Sequence, residues 1–426
     1  MEARELEILK GHLLNMRSLG QMCFMEIRTG RNIEYAIVEE PNLVKVLQKL
    51  HLESVVMLKG RWQIHQGRRE MLVAEAEIIA EAQAPPPVEL AKSKVMAGLN
   101  VNTLLSMRPL TLRSPLVRSI FTVQEAITLA FAEYARSEGC RQIISPKLVA
   151  SGTEGGAQLF HVDYFGRKAY LAQSPQFYKQ MMVGVFERVF EIGAVYRAEE
   201  HDTARHINEF VSLDVELGFV TEIEQLMAFE QGLIRHIFAR VAELCPEALA
   251  LHGVKLPEPK EICFARIEFN EALQLLASLG IQMPKGEPDL NGEGERALCK
   301  YFAQKEGKQF VFVTAYPQRV RPFYAMPLQE SGTNEILTHS FDLLYEGLEI
   351  TTGGLRIHEV QKLEQAIQSR GMPLATFSDY LMAFKHGMPP HGGFAIGLER
   401  LTAQILRLPS VKQASLFPRD INRLSP

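Results

Sequence analysis

The sequence is poor in cysteine, and its cysteines are not spaced as metal ligands or redox pairs. Five thiols are scattered through 426 residues, and no two of them form a CxxC pair. Zinc ribbons and thioredoxin-like sites need such pairs, so neither class fits. We expect reduced, partly buried thiols in a cytoplasmic protein. The five are Cys23, Cys140, Cys245, Cys263 and Cys299.

Long apolar runs are absent as well. No stretch approaches the roughly 18 uninterrupted apolar residues that a helix needs to cross a bilayer. The first twelve residues, MEARELEILKGH, are charged and have no apolar core, so they do not look like a secretory signal. We therefore expect a cytoplasmic protein without a membrane partner.

The chain also lacks an excess of positive charge. Its net charge is −4, and residues 1–85 contain eleven Lys or Arg against twelve Asp or Glu. A broadly basic nucleic-acid binder has the opposite balance, so we expect no DNA partner, although a local basic surface stays compatible. The hydrophobic content of 46% is sufficient for a large core in two or three domains.

The first part of the chain has the pattern of a small barrel. Residues 1–85 contain short apolar runs separated by Gly and Pro, with a helical patch near 43–50, which predicts a small β-barrel. Three successive prolines at 85–87 can continue neither a helix nor a sheet. We assign residues 86–115 to a linker.

Residues 116–426 mix helices and strands. A helical pattern over 117–138 stops before Gly139, which suits a C-terminal cap. The segments that follow show no βαβ rhythm. This favours an α+β domain with an antiparallel sheet over a doubly wound domain.

Residues 191–217 carry the most informative pattern. Two segments alternate side chains with a period of two around a charged connection, as in a half-buried hairpin. One face would be apolar, and the other would present charges and an aromatic ring to a flat, charged ligand such as a nucleotide. In the second segment the polar face holds Phe210, Ser212, Asp214 and Glu216, and the apolar face holds Val211, Leu213, Val215 and Leu217.

Three strings resemble the motifs of one enzyme family. Residues 197–209, RAEEHDTARHINE, resemble motif 2 of the class II aminoacyl-tRNA synthetases, in the form that archaeal-type aspartyl-tRNA synthetases use. Residues 141–148, RQIISPKL, resemble motif 1. Residues 392–401, GGFAIGLERL, resemble motif 3 with Ala395 in place of its first glycine. The motifs stand in the family's order, and the resemblance spans essentially the whole chain.

The resemblance implies an architecture and an activity. It implies an antiparallel sheet flanked by helices over residues 116–426, preceded by an OB-fold barrel over residues 1–85 that reads an anticodon. The protein would be a cytoplasmic homodimer with a role in protein biosynthesis. It would use ATP and Mg²⁺ to convert L-aspartate to aspartyl-adenylate and transfer aspartate to the 3′ end of tRNA(Asp). Transfer to tRNA(Asn) is left open.

The resemblance also assigns an ATP site. Activating a carboxylate with ATP requires positioning and charge neutralisation more than covalent work by the protein. Arginine suits this task, because a guanidinium binds phosphate oxygens bidentately. Arg197 and Arg400 would be catalytic. The ATP contacts would be Arg197 at the α-phosphate, Glu199 and Phe210 at the adenine, Arg205 and His206 near the γ-phosphate, Glu349 and Arg400.

Two carboxylates are expected to hold magnesium. A two-residue turn at Glu346-Gly347 would pair Leu344 with Glu349 and place Asp342 diagonally from Glu349 on one face. Carboxylates so placed can share a hydrated Mg²⁺ with the oxygens of ATP. By spacing alone a solvated hairpin face would be favoured, but the resemblance implies that Asp342 and Glu349 are the family's metal carboxylates.

The expected aspartate site comes from several segments. Thr153–Gly156 resembles the family's flipping loop, in which Glu154 would close over the substrate ammonium. Asp214 would hold that ammonium, and Arg356 would bind the side-chain carboxylate. Two positive charges, from Lys179 and Arg356, favour aspartate over asparagine because an amide could not offset their desolvation. The implied set is Glu154, Gln176, Lys179, Asp214, Thr352 and Arg356.

The barrel departs from the family pattern and leaves alternatives open. Phe24 and Arg28 match expected anticodon contacts, and Phe24 could stack on a base. Thr29 and Tyr35, however, replace an aspartate and a glutamine that the family uses to read bases. One alternative is therefore a paralogue that passes aspartyl-adenylate to an acceptor other than tRNA, such as ammonia. Another is a non-catalytic RNA-binding paralogue, which the intact phosphate and metal residues disfavour.

Overall fold

The chain separates into two units, Met1–Arg118 and Ser119–Pro426. The computed structural model describes residues 6–30, 32–152, 159–283, 289–328 and 335–425. None of the helices within these ranges is both long and apolar enough to cross a lipid bilayer.

Five strands and one short helix make up the barrel of the first unit. They are β1 (Glu7–Leu19), β2 (Met22–Arg28), β3 (Ile33–Val38), α1 (Pro41–Leu47), β4 (Val55–His65) and β5 (Arg68–Ala80). The strands close in the order β1-β2-β3-β5-β4. Alternate side chains such as Leu13, Ile27 and Leu58 point inward and are fully buried. The predicted barrel is confirmed.

The segment after the barrel contains three short helices. They are α2 (Ser93–Gly98), α3 (Val101–Ser106) and α4 (Arg108–Thr111). Leu90, Met96 and Leu104 from this region pack in one cluster with Leu14 of β1. Much of the stretch that we assigned to a linker is therefore packed against the barrel.

An eight-stranded sheet forms the centre of the second unit. The strands of this unit are β6 (Arg141–Gln142), β7 (Leu148–Val149), β8 (His161–Tyr164), β9 (Arg167–Leu171), β10 (Arg188–Tyr196), β11 (Glu209–Gly218), β12 (Phe264–Glu268), β13 (Phe310–Thr314), β14 (Pro327–Leu328), β15 (Leu337–Thr338), β16 (Ser340–Tyr345), β17 (Leu348–Arg356) and β18 (His391–Gly397). The large sheet has the order β12-β13-β16-β17-β18-β11-β10-β6. The predicted antiparallel arrangement is confirmed from β13 to β10.

Both edge pairs of the sheet, β12 with β13 and β10 with β6, are parallel. A parallel pair requires a crossover, and two helices, α9 (Phe269–Ser278) and α10 (Gly292–Glu306), provide it between β12 and β13. The helices that follow α4 are α5 (Pro115–Ser137), α6 (Gln176–Phe186), α7 (Ile223–Leu244), α8 (Pro246–Leu251), α9 (Phe269–Ser278), α10 (Gly292–Glu306), α11 (Val360–Ser369), α12 (Ser378–Lys385) and α13 (Leu398–Ile405).

The apolar face of the sheet packs against α5 and α7. Phe131 of α5 and Ile237 of α7 share one buried cluster with Leu213, Val215 and Phe394 of the sheet. Burying each such side chain contributes about 1.5–3 kcal/mol. Because this face is sealed, the polar residues that alternate with Leu213 and Val215 must lie on the opposite face.

One carboxyl group lies inside the apolar layer. Glu230 of α7 is fully buried, and neither of its carboxyl oxygens has a hydrogen-bond partner within the described part of the chain. Burial raises the pKa of Glu230 to about 8, and the nearby Thr351 hydroxyl opposes only part of this rise. The carboxyl is therefore mostly protonated at neutral pH, because an unpaired buried carboxylate is costly.

Glu230 predicts a pH dependence of stability. The folded chain keeps the proton up to about pH 8, whereas the unfolded chain loses it near 4.5. The free energy of unfolding should therefore fall with rising pH between these values, by up to about 1.4 kcal/mol per pH unit. Glu230→Gln, which cannot ionise, should remove this slope in urea unfolding measured from pH 5 to 8.5. Glu243→Gln on the exposed face of α7 is the control, and parallel curves for wild type and Glu230→Gln would refute the assignment.

Candidate active site

The polar face of the central sheet forms the floor of a cavity of about 520 Å³. This volume is in the range of pockets that hold small molecules and cofactors. Glu154 lies outside the described residues, and Phe24 and Arg28 belong to the first unit. The remaining predicted site residues all line the cavity: Gln176, Lys179, Arg197, Glu199, Arg205, His206, Phe210, Asp214, Asp342, Glu349, Thr352, Arg356 and Arg400.

The β10–β11 hairpin positions the middle of this floor. Its register is regular from Arg188 opposite Leu217 to Tyr196 opposite Glu209. Strand alternation then turns Phe210 and Asp214 toward the cavity. The buried Glu399 of α13 accepts hydrogen bonds at 3.1 Å from the backbone N–H of Val211 with both of its oxygens. The helix α13, which begins within the motif 3 string, therefore holds β11, the strand that follows the motif 2 string.

At the adenine end of the expected ATP site, Arg197 and Glu199 are held by Asn208. The side-chain amide of Asn208 donates to the backbone carbonyls of Arg197 at 2.7 Å and Glu199 at 2.9 Å. The Arg197 guanidinium lies 5.7 Å from the centroid of the Phe210 ring and 3.8 Å from the Glu199 carboxylate. Arginine, carboxylate and aromatic ring thus form one group, as the resemblance implies.

The connection between β10 and β11 is anchored by the C-terminal segment. The Lys412 ammonium contacts Asp202 at 2.5 Å and Asp420 at 2.7 Å, and the backbone N–H of Val411 donates to the Ala204 carbonyl at 2.9 Å. His206 on this connection is half-buried, and burial followed by the charge of Arg400 lowers its pKa. The connection is therefore held in place around the cavity.

The β16–β17 hairpin has the predicted turn and one irregularity. Glu346 and Gly347 have φ values of 50° and 84°, and Leu344 lies opposite Glu349 as expected. A bulge follows, because Leu343 pairs with Thr351. Asp342 therefore lies opposite Thr352, and Asp342, Glu349 and Thr352 all face the cavity.

The two expected metal carboxylates fit a magnesium ion. Oδ2 of Asp342 accepts from Arg321 at 2.8 Å, while its buried Oδ1 has no partner among the described residues. Oε1 of Glu349 accepts from the Thr352 hydroxyl at 3.1 Å and lies 3.3 Å from Arg400. No group of three His, Cys, Asp or Glu side chains in the described ranges is arranged to hold a metal. A pair of carboxylates suits Mg²⁺, which takes its other ligands from water and phosphates.

Burial and the neighbouring guanidinium groups shift the pKa values of these two carboxylates in opposite directions. Burial raises the pKa of Asp342 to about 7, the Arg321 guanidinium opposes this, and the charge of Glu349 adds to it. At Glu349 burial acts in the same direction, but the guanidinium groups of Arg400 and Arg197 outweigh it and hold the pKa below its usual range. The two carboxylates are therefore surrounded by cations, as a phosphate site requires.

Four buried charges lie at the end of the cavity where aspartate is expected to bind. The Lys179 ammonium lies 2.9 Å from Asp214 and 3.3 Å from Glu216, and Arg356 donates through Nε to Glu216 at 2.9 Å. Glu216 is fully buried beneath the floor, and a Cβ at Gly393 would collide with its Oε2. This close approach leaves no room for a side chain at position 393, which explains the glycine of this chain there.

This cluster corrects one part of the sequence argument. We expected Lys179 and Arg356 to present two positive charges to a substrate carboxylate, but Asp214 and Glu216 already balance both of them. The groups that remain open to a ligand are one hydrogen-bond donor and one acceptor. Nη1 of Arg356 has no hydrogen-bond partner among the described residues, and neither has the buried Oδ2 of Asp214. Donor and acceptor thus lie in one neutral cluster.

Gln176 belongs to a chain of neutral hydrogen bonds behind these charges. Its side-chain amide donates to Gln180 at 3.0 Å, and Tyr380 donates to the same Gln180 oxygen at 3.0 Å. The Gln180 amide in turn lies 3.0 Å from Nε2 of His391, whose Nδ1 lies 2.9 Å from the carbonyl of Pro389. Burial lowers the pKa of His391 to about 4, so this histidine is neutral and can accept from Gln180.

Several residues of the site were missed by the sequence reasoning. Glu216 lies in the 191–217 segment, where the period-two alternation already placed it on the polar face, and Glu399 lies in the segment that resembles motif 3. Arg321 and Glu295 had no local signal, because their partners Asp342 and Arg205 lie 21 and 90 residues away. Such pairs become visible only in the folded chain.

Residues 100–421 match the family of class II tRNA synthetases (D, K and N). The chain is 42% identical over 424 residues to the aspartate–tRNA(Asp/Asn) ligase of Thermus thermophilus, covering 99% of this chain and 97% of that protein. It is 43% identical to the enzyme of the same name from Deinococcus radiodurans, with 98% and 95% covered.

The fold is also similar to solved structures. The asparaginyl-tRNA synthetase of Pyrococcus horikoshii in complex with asparaginyl-adenylate superposes with a TM-score of 0.90 at 29% identity. The match covers 99% of this chain and 96% of that one. Both units of the chain therefore have counterparts in a known synthetase.

The ion-pair cluster predicts the effect of removing one cation. Lys179→Met would leave Asp214 and Glu216 buried with one cation fewer, since the Lys179 side chain is only 2% exposed. We expect a loss of about 3–5 kcal/mol in the free energy of unfolding. Urea unfolding of the variant measures it, and the exposed Lys385→Met is the matched control. Adding Glu216→Gln to Lys179→Met should restore part of the loss; equal stabilities of the two lysine variants would contradict the prediction.

Proposed function

Because the chain belongs to the family of class II tRNA synthetases (D, K and N), we propose that it is an aspartate–tRNA ligase. It activates L-aspartate with ATP and transfers aspartate to the 3′ end of tRNA(Asp). The observation that carries this proposal is the proximity of two sets of residues in one cavity. A phosphate-binding group around Arg197 and an amino-acid site around Lys179 and Arg356 share the same sheet face.

The amino-acid site favours aspartate through the direction of its hydrogen bonds. Nη1 of Arg356, which has no hydrogen-bond partner among the described residues, and the ammonium of Lys179 present donors to a side-chain carboxylate. The unpartnered Oδ2 of Asp214 is an acceptor for the substrate ammonium. A carboxylate offers only acceptors, whereas an amide would direct its own N–H groups at these cations. Asparagine is therefore the disfavoured substrate.

In the first half-reaction, a carboxylate oxygen of aspartate attacks the α-phosphorus of ATP and pyrophosphate leaves. Arg197 neutralises the α-phosphate, and Arg400 stabilises the phosphate chain from motif 3. Phe210 stacks on the adenine and Glu199 accepts from its amino group. Arg205 and His206 lie on the connection of the hairpin, where the γ-phosphate is expected.

Asp342 and Glu349 are the residues that would hold Mg²⁺. The ion supplies charge stabilisation to the phosphates of ATP. The orphan Oδ1 of Asp342 and the cavity-facing Glu349 support this role. Arg321 pairs with Asp342, and Arg400 pairs with Glu349. These cations reduce the electrostatic repulsion between the two carboxylates.

The barrel supports binding of an RNA strand. Arg68 lies 4.1 Å from the centroid of the Tyr35 ring, and Arg69 lies 3.9 Å from that of Trp62. Flat rings covered by guanidinium groups suit stacking with bases. Arg28 is differently placed, because its guanidinium pairs with the buried Glu53 at 2.5 Å and is only 11% exposed. We assign base stacking to Phe24 and a structural ion pair to Arg28.

Three further properties belong to the proposal. We place the enzyme in the cytoplasm. We include tRNA(Asn) as a second acceptor, because the relatives from Thermus thermophilus and Deinococcus radiodurans are aspartate–tRNA(Asp/Asn) ligases. We also propose a homodimer. Ile144, beside Pro146 of motif 1, is 91% exposed, and a partner subunit would cover this apolar side chain.

Transfer of labelled aspartate to unfractionated tRNA tests the proposed function. The charged species is identified by its anticodon after incubation with ATP, Mg²⁺ and the enzyme. Charging of both tRNA(Asp) and tRNA(Asn) is the expected result, and charging of tRNA(Asp) alone would support the ligase but refute the second acceptor. Formation of aspartyl-adenylate without any charged tRNA would contradict the ligase and point to another acceptor. Preference for asparagine would refute the amino-acid site.

The ATP site predicts a separate kinetic effect. Arg197→Met removes a guanidinium that neutralises the α-phosphate mainly in the transition state. We expect kcat for aspartate-dependent ATP–pyrophosphate exchange to fall roughly 100- to 1000-fold, with KM for aspartate nearly unchanged. Arg266→Met removes an exposed ion pair with Glu224 and serves as the control. A change confined to KM for aspartate would place Arg197 in the wrong part of the site.

A further inference from the structure

A buried glutamate outside the cavity joins two parts of the expected ATP site. Glu295 of α10 has a side chain that is 5% exposed, and its two oxygens accept hydrogen bonds from Nη2 of Arg205. Its Oε2 also accepts from the backbone N–H of Glu349 at 2.8 Å. One carboxylate therefore holds a motif 2 side chain and the main chain at an expected metal ligand.

The first turn of α10 is shaped around the same guanidinium. A Cβ at Gly292 would collide with Nη1 of Arg205, so the glycine leaves room for the guanidinium in the position it has here. Asn291 caps the helix by accepting from the backbone N–H groups of Glu293 and Gly294. This cap thus holds the start of α10 in place beside Arg205.

Arg205 reaches the cavity, but Glu295 does not. Arg205 is among the lining residues, and the buried Nε of its guanidinium has no hydrogen-bond partner in the described ranges. A long arginine on a loop would otherwise populate several rotamers, and ordering it on binding ATP would cost affinity. Holding it beforehand through charge-assisted bonds removes that cost from the binding step.

We propose that Glu295 is a positioning residue for ATP. It orients Arg205 toward the phosphates and fixes the backbone at Glu349, without touching the substrate. This inference rests on the proposed function for the roles of Arg205 and Glu349. It assigns α10, which carries none of the three motifs, to the catalytic machinery.

Glu295→Gln tests the proposal with an isosteric change. The amide keeps one acceptor, but because Arg205 donates to both oxygens of Glu295, the NH2 group of the glutamine would face Arg205 in either orientation. We expect KM for ATP in aspartate-dependent pyrophosphate exchange to rise about tenfold, while KM for aspartate stays near the wild-type value. Glu293→Gln, an exposed position on the same helix, is the matched control. A rise of both KM values together, or no rise, would overturn the proposal.

A double-variant cycle separates positioning from a general structural role. In an Arg205→Met background, Glu295→Gln should raise KM for ATP much less, because its main partner is gone. Fully additive effects would contradict the proposal. If the wild type shows no aspartate-dependent exchange, the proposed function fails on its own. Calorimetric affinity for Mg·ATP then still decides about Glu295: about tenfold weaker binding by Glu295→Gln supports positioning, and equal binding refutes it.

Discussion

The pairing of buried charges on one face of the sheet constrains the rest of the second unit. Lys179 and Arg356 can be buried at the wall of the cavity only because they form ion pairs with Asp214 and Glu216. That arrangement brings α6, β11, β17 and β18 together at one point. The opposite face can then be dry and apolar, and α5 and α7 pack on it without competing charges.

Ion pairs are also found at the end of the cavity where we propose that ATP binds. Asp342 pairs with Arg321, Glu349 with Arg400, and Glu295 with Arg205. Each pair leaves donors or acceptors directed at the cavity, so the site is ordered before a ligand arrives. Glu230 is handled differently, because it lies in the apolar layer without a cation and is neutral instead. Charge is thus kept on the face where the chemistry is proposed.

Local patterns predicted much of this structure. The period-two alternation of β11, the turn at Glu346-Gly347 and the five-stranded barrel all follow from short segments, because strand faces and turns are decided by neighbouring residues. The parallel edge pairs, the helices within 86–115 and the compensation of Lys179 and Arg356 were not predicted. Each depends on contacts between segments far apart in the chain.

The sequence by itself determined the family, the two-part architecture and thirteen side chains that meet in one cavity. Motifs carry this information because they specify residue types at fixed spacing. Only the tertiary structure decided which charges are compensated and which groups stay open to a ligand. Glu216 meets Arg356 across 140 residues, and Glu295 meets Arg205 across 90. Such pairing depends on how helices and strands pack, which no local pattern records.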